Sequence, residues 1–476
     1  MKIAFNNPNN VASTASKMSN SLYNDFEPVS AKQWKQKIQV DLKGADYNDT
    51  LVWQSLEGIH VRPTYHADDS DTNALTIPGH PLHWDITQHV FIDDASIANH
   101  LAIDALEKGA EAIFFTAETS FDKETVFANF PFEKATIYFD LKFLDQDFLK
   151  QLMAFLKTKK ASVYYNIDIL GNLIETGNWF QNLSKDHEIL DALYQKHSTE
   201  HLLSVNTAVY QNAGATMVQQ LAYGLAHANE YLNHFKTSAN KTGLQITFTI
   251  ATGSNYFFEI SKIRALRILY AALAKEYDVE QTCHVIASPS KRNKTLYDYN
   301  VNMLRTTTET MSAVLGGANA VSNLPYDALY HKSNEFGERI SRNQLLVLKK
   351  ESYFDVVSNP ADGSYYIESL TQQLAAKALE LFKSIEKGGG LLAQLKEGTI
   401  QKKIKESAYK EQQWFNEGKL VLLGTNKYPN TADQMKHDLE LYPFVKTNIR
   451  KTEIAPLISK RLSEKVEQER LDNEKE

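Results

Sequence analysis

Eight short apolar runs, each parted from the next by a stretch of helical spacing, constrain the fold of this chain more than any other feature. They are Ala112 to Thr116, Ala135 to Phe139, Ser162 to Ile167, Leu202 to Val205, Gln245 to Ile250, Thr282 to Ala287, Ala318 to Val321 and Phe354 to Val357. Near-continuous apolar strands are covered on both faces, and parallel strands need long crossovers between them. Two of the crossovers have clear apolar stripes: Met217, Leu221, Leu225, Ala228, Leu232 and Phe235 on one helix, and Phe257, Ile260, Ile263, Leu266, Leu269 and Leu273 on another. The pattern predicts an α/β chain folded as a closed (β/α)8 TIM barrel.

Around that series the chain divides into four stretches. Residues 1–28 are rich in Asn and Ser without apolar periodicity and read as a flexible or partner-wrapping arm. Residues 29–95 read as a helix followed by an extended linker, with Ser30 and Gln33 forming a capping box and Gly44 ending the helix. The barrel is expected over 96–400 and a helical C-terminal extension over 401–476. The glycines Gly388, Gly389 and Gly390 follow a helix and no strand, so they read as a C-cap and not as a phosphate cradle. From Glu453 onward, Leu457, Ile458, Leu462 and Val466 give only a weak helical stripe.

Bulk properties narrow the function. The formal net charge of −7 over 476 residues comes from interspersed charges, which leaves no basic footprint for nucleic acid. Cys283 is the single cysteine and sits in an apolar run, so it reads as a buried spectator thiol, with no disulfide framework. No apolar run approaches the roughly 20 residues of a membrane span, and no apolar leader region follows Lys2, so a cytoplasmic location is expected.

In a barrel of this kind the strand ends Glu118, Asp140, Asp168, Asn206, Ser254, Ser288, Asn323 and Asn359 would converge on one mouth. Paired carboxylates there could serve acid–base hydrolysis, but a strand-end Asp more often caps the next helix. The 14 histidines are scattered, and His201 and His284, inside apolar strands, read as core histidines and not as metal ligands. Arg264, Arg267, Arg305, Arg339 and Arg342 read as outer-face helix charges in salt bridges. The corner from Asn206 to Ala215, where strand turns into helix, is the first place to look for chemistry, and it carries almost none.

Several stretches, in this order, resemble the adenosylcobalamin-dependent acyl-CoA mutase family, and within it the small subunits of heterodimeric methylmalonyl-CoA mutases. They are Gly58 to Tyr65, Trp84 to Gln88, Asn212 to Thr216, Phe258 to Ala265, Asn302 to Thr307, Arg339 to Asn343, Asn359 to Tyr366 and Gly424 to Tyr428, and the likeness runs from about residue 28 to 430. The resemblance implies a partnership with a large catalytic subunit that holds adenosylcobalamin and interconverts methylmalonyl-CoA and succinyl-CoA by radical chemistry. The family's cobalamin domain carries an Asp-x-His-x-x-Gly motif; no Asp-x-His occurs here, and only about 48 residues follow Tyr428, so no cobalamin-binding domain and no cofactor bound by this chain alone are expected.

Catalytic members of the family read Ser-Gly-Tyr-His-Met-Gln-Glu-Ala-Gly at the strand-to-helix corner, the Tyr-His pair polarising the thioester carbonyl. Aligned on Gln211 and Ala213-Gly214, those two positions are Ala208 and Val209, neither of which donates a hydrogen bond. A second family segment, Trp-Thr-Ile-Arg-Gln-Tyr, reads Trp84-Asp85-Ile86-Thr87-Gln88-His89 here, so an arginine is replaced by Thr87 and a tyrosine by His89. The expectation is therefore no catalytic residues, with Thr87, His89, Ala208 and Val209 degenerate and Gln211 retained. Two alternatives stay open: a self-sufficient mutase barrel using a separately encoded cobalamin-binding domain, and a non-enzymatic barrel that binds acyl-CoA.

Overall fold

The computed structural model describes residues 25–69, 75–198, 200–238, 241–446 and 449–474. Residues 1–24 of the expected N-terminal arm lie outside these. The described chain divides into two compact units, one of residues 25–53 with 60–69, the other of residues 54–59 with 75–474.

The first unit is built on the helix Ala31–Asp41, and its start is the capping box expected from sequence. Ser30 Oγ accepts from Gln33 N at 3.2 Å, and Gln33 Oε1 accepts from Ser30 N at 2.9 Å. Asp68 accepts from Ala31 N at 3.0 Å, and Arg62 pairs with Asp69 at 2.8 Å.

The second unit is the barrel. Its strands are β1 (Asp85–Phe91), β2 (Ala112–Ala117), β3 (Thr136–Leu141), β4 (Ser162–Ile167), β5 (His201–Asn206), β6 (Ile246–Thr252), β7 (His284–Pro289) and β8 (Ala320–Ser322). All neighbours are parallel, and the ring closes where Ala320 of β8 pairs with Asp85 of β1. Alternate residues face the helices: Ile113, Phe115, Ile137 and Phe139 are fully buried there. The opposite parity fills the lumen, where Ala112, Phe114, Tyr138, Ile286 and Ala320 pack together with Tyr164.

Two strand expectations need correcting. Phe354 to Val357 is no strand: it follows a π-helical turn at Val347–Glu351, and Val356 and Val357 are exposed. An apolar run with no neighbour to pair with has nothing to satisfy its backbone as a strand. The eighth strand is instead β1, which lies within the stretch read as linker, so the barrel strands begin at Asp85. Its inward residues Asp85, Thr87 and His89 are polar, which breaks the apolar run that marks the other strands.

The arginines also differ from expectation. Arg264 and Arg267 are not on an outer face but wholly buried. Arg264 binds Glu368 at 2.7 Å, Asp362 at 2.8 Å and Asn359 at 2.6 Å, tying the helix Tyr256–Glu276 to the helix Tyr365–Lys387. Arg267 donates to the carbonyls of Gly317 and Cys283 and so reaches the loops below β7 and β8. The triple glycine does end a helix, with Gly390 N bonding Ile385 O at 3.1 Å. The C-terminal stripe is helical only over Glu464–Asp472, and Leu457 and Leu462 are buried in an extended strap ahead of that helix. Among the described residues no helix is long and apolar enough to cross a membrane.

Candidate functional site at the barrel mouth

Of the strand-end residues expected at the mouth, Asp140, Asp168 and Asn206 do come together, around a cavity of about 70 Å³ that Lys142, Asn166, Ser204 and Thr249 also line. Lys142 lies 3.1 Å from Asp140 and 3.4 Å from Glu175, and both carboxylates raise its pKa against the effect of burial. Glu118 and Ser254 are exposed and do not line this cavity. Asn323 is spent on Ser341 O and Gln344, each at 2.9 Å, and Asn359 on Arg264.

Asp168 has the surroundings of a brace, not of an acid or base. It caps the helix Ile169–Thr176 through Gly171 N at 2.7 Å, accepts from Asn206 N at 2.8 Å, and takes His227 Nε2 and the Tyr231 hydroxyl, both at 2.8 Å. Burial opposes its ionisation, but His227 and the backbone donors hold its pKa below the ordinary value. His227, with no exposed surface, extends the chain to Tyr210, whose hydroxyl is 3.3 Å from Nδ1. Nothing in the sequence flags this network, because His227 and Tyr231 lie within an ordinary amphipathic helix.

At the strand-to-helix corner, Asn206 Oδ1 accepts from Ala208 N at 3.1 Å and the short helix Ala208–Asn212 begins. Ala208 and Val209 are half-buried. Gln211 is buried, and both ends of its amide are taken: Nε2 donates to Glu259 at 3.2 Å and Oε1 accepts from Lys262 at 2.9 Å. Lys262 also binds Gln220 at 3.1 Å, Ala251 O at 2.7 Å and Glu259 at 2.5 Å. The glutamine is thus fixed in a buried polar cluster, with both ends of its amide engaged.

Thr87 and His89 lie on β1 facing the lumen. Thr87 is buried, while His89 keeps an open surface inside the barrel and sits 2.9 Å from Ser322 Oγ and 4.7 Å, ring to ring, from Phe114. Loss of bulk water brings the His89 pKa down to about 4. Deeper in the lumen, the Tyr164 ring stacks 4.2 Å from His201 and 4.1 Å from His284, and Tyr138 bonds His284. His201 and His284 are both half-buried and stacked on Tyr164, and at this level aromatic rings occupy the barrel axis.

Over the mouth runs the extended segment 450–462. Glu453 N and Ile454 N bond Gly177 O at 2.9 and 3.1 Å, Lys460 N bonds Asn212 O at 3.0 Å and Leu462 N bonds Arg292 O at 2.9 Å. These carbonyls belong to the segments that follow β4, β5 and β7. Gly177 has φ +83°, and a Cβ there would stand 2.7 Å from Ile454 O, so glycine is what lets the strap lie this close. Among the described residues no group of three or more His, Cys, Asp or Glu is placed to hold a metal ion.

A family model described as Methylmalonyl-CoA mutase matches residues 118–474 of the chain. The chain belongs to the methylmalonyl-CoA mutase family. The small subunit of methylmalonyl-CoA mutase from Porphyromonas gingivalis is 33% identical over 87% of this chain and 72% of that protein. The small subunit from Streptomyces virginiae is 28% identical over 86% of this chain and 72% of its own length. A methylmalonyl-CoA mutase from Cereibacter sphaeroides is 27% identical, and there the match spans 64% of the relative's length. The mutase-family match begins just after β2 and runs through the strap to residue 474.

Proposed function

We propose that this mutase-family chain is the non-catalytic small subunit of a heterodimeric methylmalonyl-CoA mutase. It would support a large subunit that interconverts methylmalonyl-CoA and succinyl-CoA by adenosylcobalamin radical chemistry in the cytoplasm. The observation that carries this reading is the corner at Ala208 and Val209. Both are apolar, and the one polar residue retained nearby, Gln211, is spent in the Glu259–Lys262 cluster. A thioester carbonyl placed there would meet no donor from these side chains, so its developing negative charge would go unstabilised.

The lumen supports the same reading. An acyl-CoA arm threaded along the axis would have to displace the Tyr138, Tyr164, His201 and His284 rings. Neither His227, beside the mouth and taken on both nitrogens, nor His284, deeper in the lumen and bonded through Nε2 to Tyr138, is offered as a ligand to cobalt. Adenosylcobalamin is therefore assigned to the large subunit, and no step of the reaction is assigned to this chain.

The test is co-expression with a cognate large subunit, followed by size exclusion and an isomerase assay. Co-elution at 1:1, with turnover that disappears when the large subunit is omitted, is the expected result. Two chains that never co-elute, or turnover by this chain with adenosylcobalamin and a separate cobalamin-binding domain, would refute it.

A further inference from the structure

We propose that a cavity of about 370 Å³ beneath the C-terminal helix Glu464–Asp472 binds a small apolar carboxylate. The cavity is separate from the barrel mouth, and none of its lining residues is on a barrel strand. Its volume lies in the range of ligand pockets, and its exposed walls are mainly apolar, from Tyr297, Pro429 and Val466. One wall is the start of the Gly424 to Tyr428 stretch. Gly424 has φ +77°, and a Cβ there would fall 2.5 Å from Asp298, so the wall is built on a residue that only glycine fits.

The polar groups decide the ligand's chemistry. The Arg470 guanidinium lies 3.8 Å over the Tyr297 ring, and its Nη2 donates to Asn430 O at 2.7 Å and Asp433 O at 2.6 Å. That fixes the guanidinium while leaving Nε and Nη1 without a partner among the described residues. The nearby acids are already spent. Glu467 takes Leu296 N at 2.8 Å and Arg461 at 2.5 Å, and Glu474 takes the Tyr297 hydroxyl at 2.6 Å and the Met435 and Lys436 amides. The cavity therefore offers the spare Arg470 donors and the Thr425 hydroxyl, which has no partner among the described residues and can donate or accept, a set that suits an apolar body bearing an oxygen acceptor, best an anionic one.

The experiment is calorimetric titration of the full chain with benzoate, with benzyl alcohol as the uncharged control. Saturable single-site binding of benzoate, tighter than benzyl alcohol, is expected. Arg470→Gln should weaken it at least about tenfold, the loss of roughly one charge-assisted pair. Because that change could loosen the C-terminal helix, Val466→Trp is the second variant: Val466 is 42% exposed at the rim, and the indole should fill the cavity and abolish binding without lowering the melting temperature. Absence of saturable binding, equal affinity for benzyl alcohol, or wild-type affinity in either variant would overturn the assignment.

Discussion

Tyr138 on β3 and His284 on β7 meet across the barrel axis, the phenol oxygen 2.9 Å from Nε2. Strands three and seven face each other in a ring of eight, so this one hydrogen bond closes the lumen at its level. Burial lowers the His284 pKa to about 3, and a neutral imidazole with Nε2 unprotonated can accept from the phenol.

That pair predicts a pH signature. The unfolded chain protonates His284 near pH 6.5, whereas the folded chain stays neutral down to about pH 3, so the stability it confers is present above 6.5 and is lost as pH falls. The stability gap between wild type and His284→Gln should therefore narrow below pH 6.5, by at most about 1.4 kcal/mol per unit. Urea unfolding of both proteins at pH 7.5, 6.5 and 5.5 measures it. A gap that stays constant would mean the imidazole is not kept neutral.

Asp168 accepts from four groups at once, so removing its charge should leave buried donors unsatisfied. Asp168→Ala is expected to cost about 3–5 kcal/mol, the scale for breaking a buried pair. Chemical unfolding gives the value, and a double-mutant cycle with His227→Gln should show coupling above about 0.5 kcal/mol.

Arg264 sets a similar test away from the mouth. With no exposed surface and Glu368 at 2.7 Å, Arg264→Met should strand that carboxylate and destabilise the chain by about 3–5 kcal/mol. Replacing both partners, Arg264→Met with Glu368→Leu, should recover part of the loss in the same unfolding assay.

Gly177→Val should dislodge the strap, since its Cβ would meet Ile454 O at 2.7 Å on a backbone of φ +83°. Limited proteolysis should then cut within residues 449–462 faster than in wild type, with the barrel core still protected. Unchanged cleavage would show that the strap does not depend on this contact.

If the rings of the lumen exclude an acyl-CoA arm, calorimetry of the isolated chain with methylmalonyl-CoA should detect no saturable binding. Truncating the stack with Tyr164→Ala should not by itself create turnover, because Ala208 and Val209 would still provide no donor.

The sequence by itself determined the barrel, because seven of its strands write themselves as short apolar runs, and the helix stripes and the Ser30 cap have equally local causes. That the side chains of Ala208 and Val209 donate no hydrogen bond is likewise read from the sequence and needs no coordinates. Only the tertiary structure decided the rest. β1 is polar where it faces the lumen, so its strand character shows only in its pairing with β2 and β8. Asp168 is a brace and Gln211 is spent because of partners 59 and 48 residues away. Which parity of each strand points inward, and so which rings meet on the axis, follows from register, which no local pattern in this chain encodes.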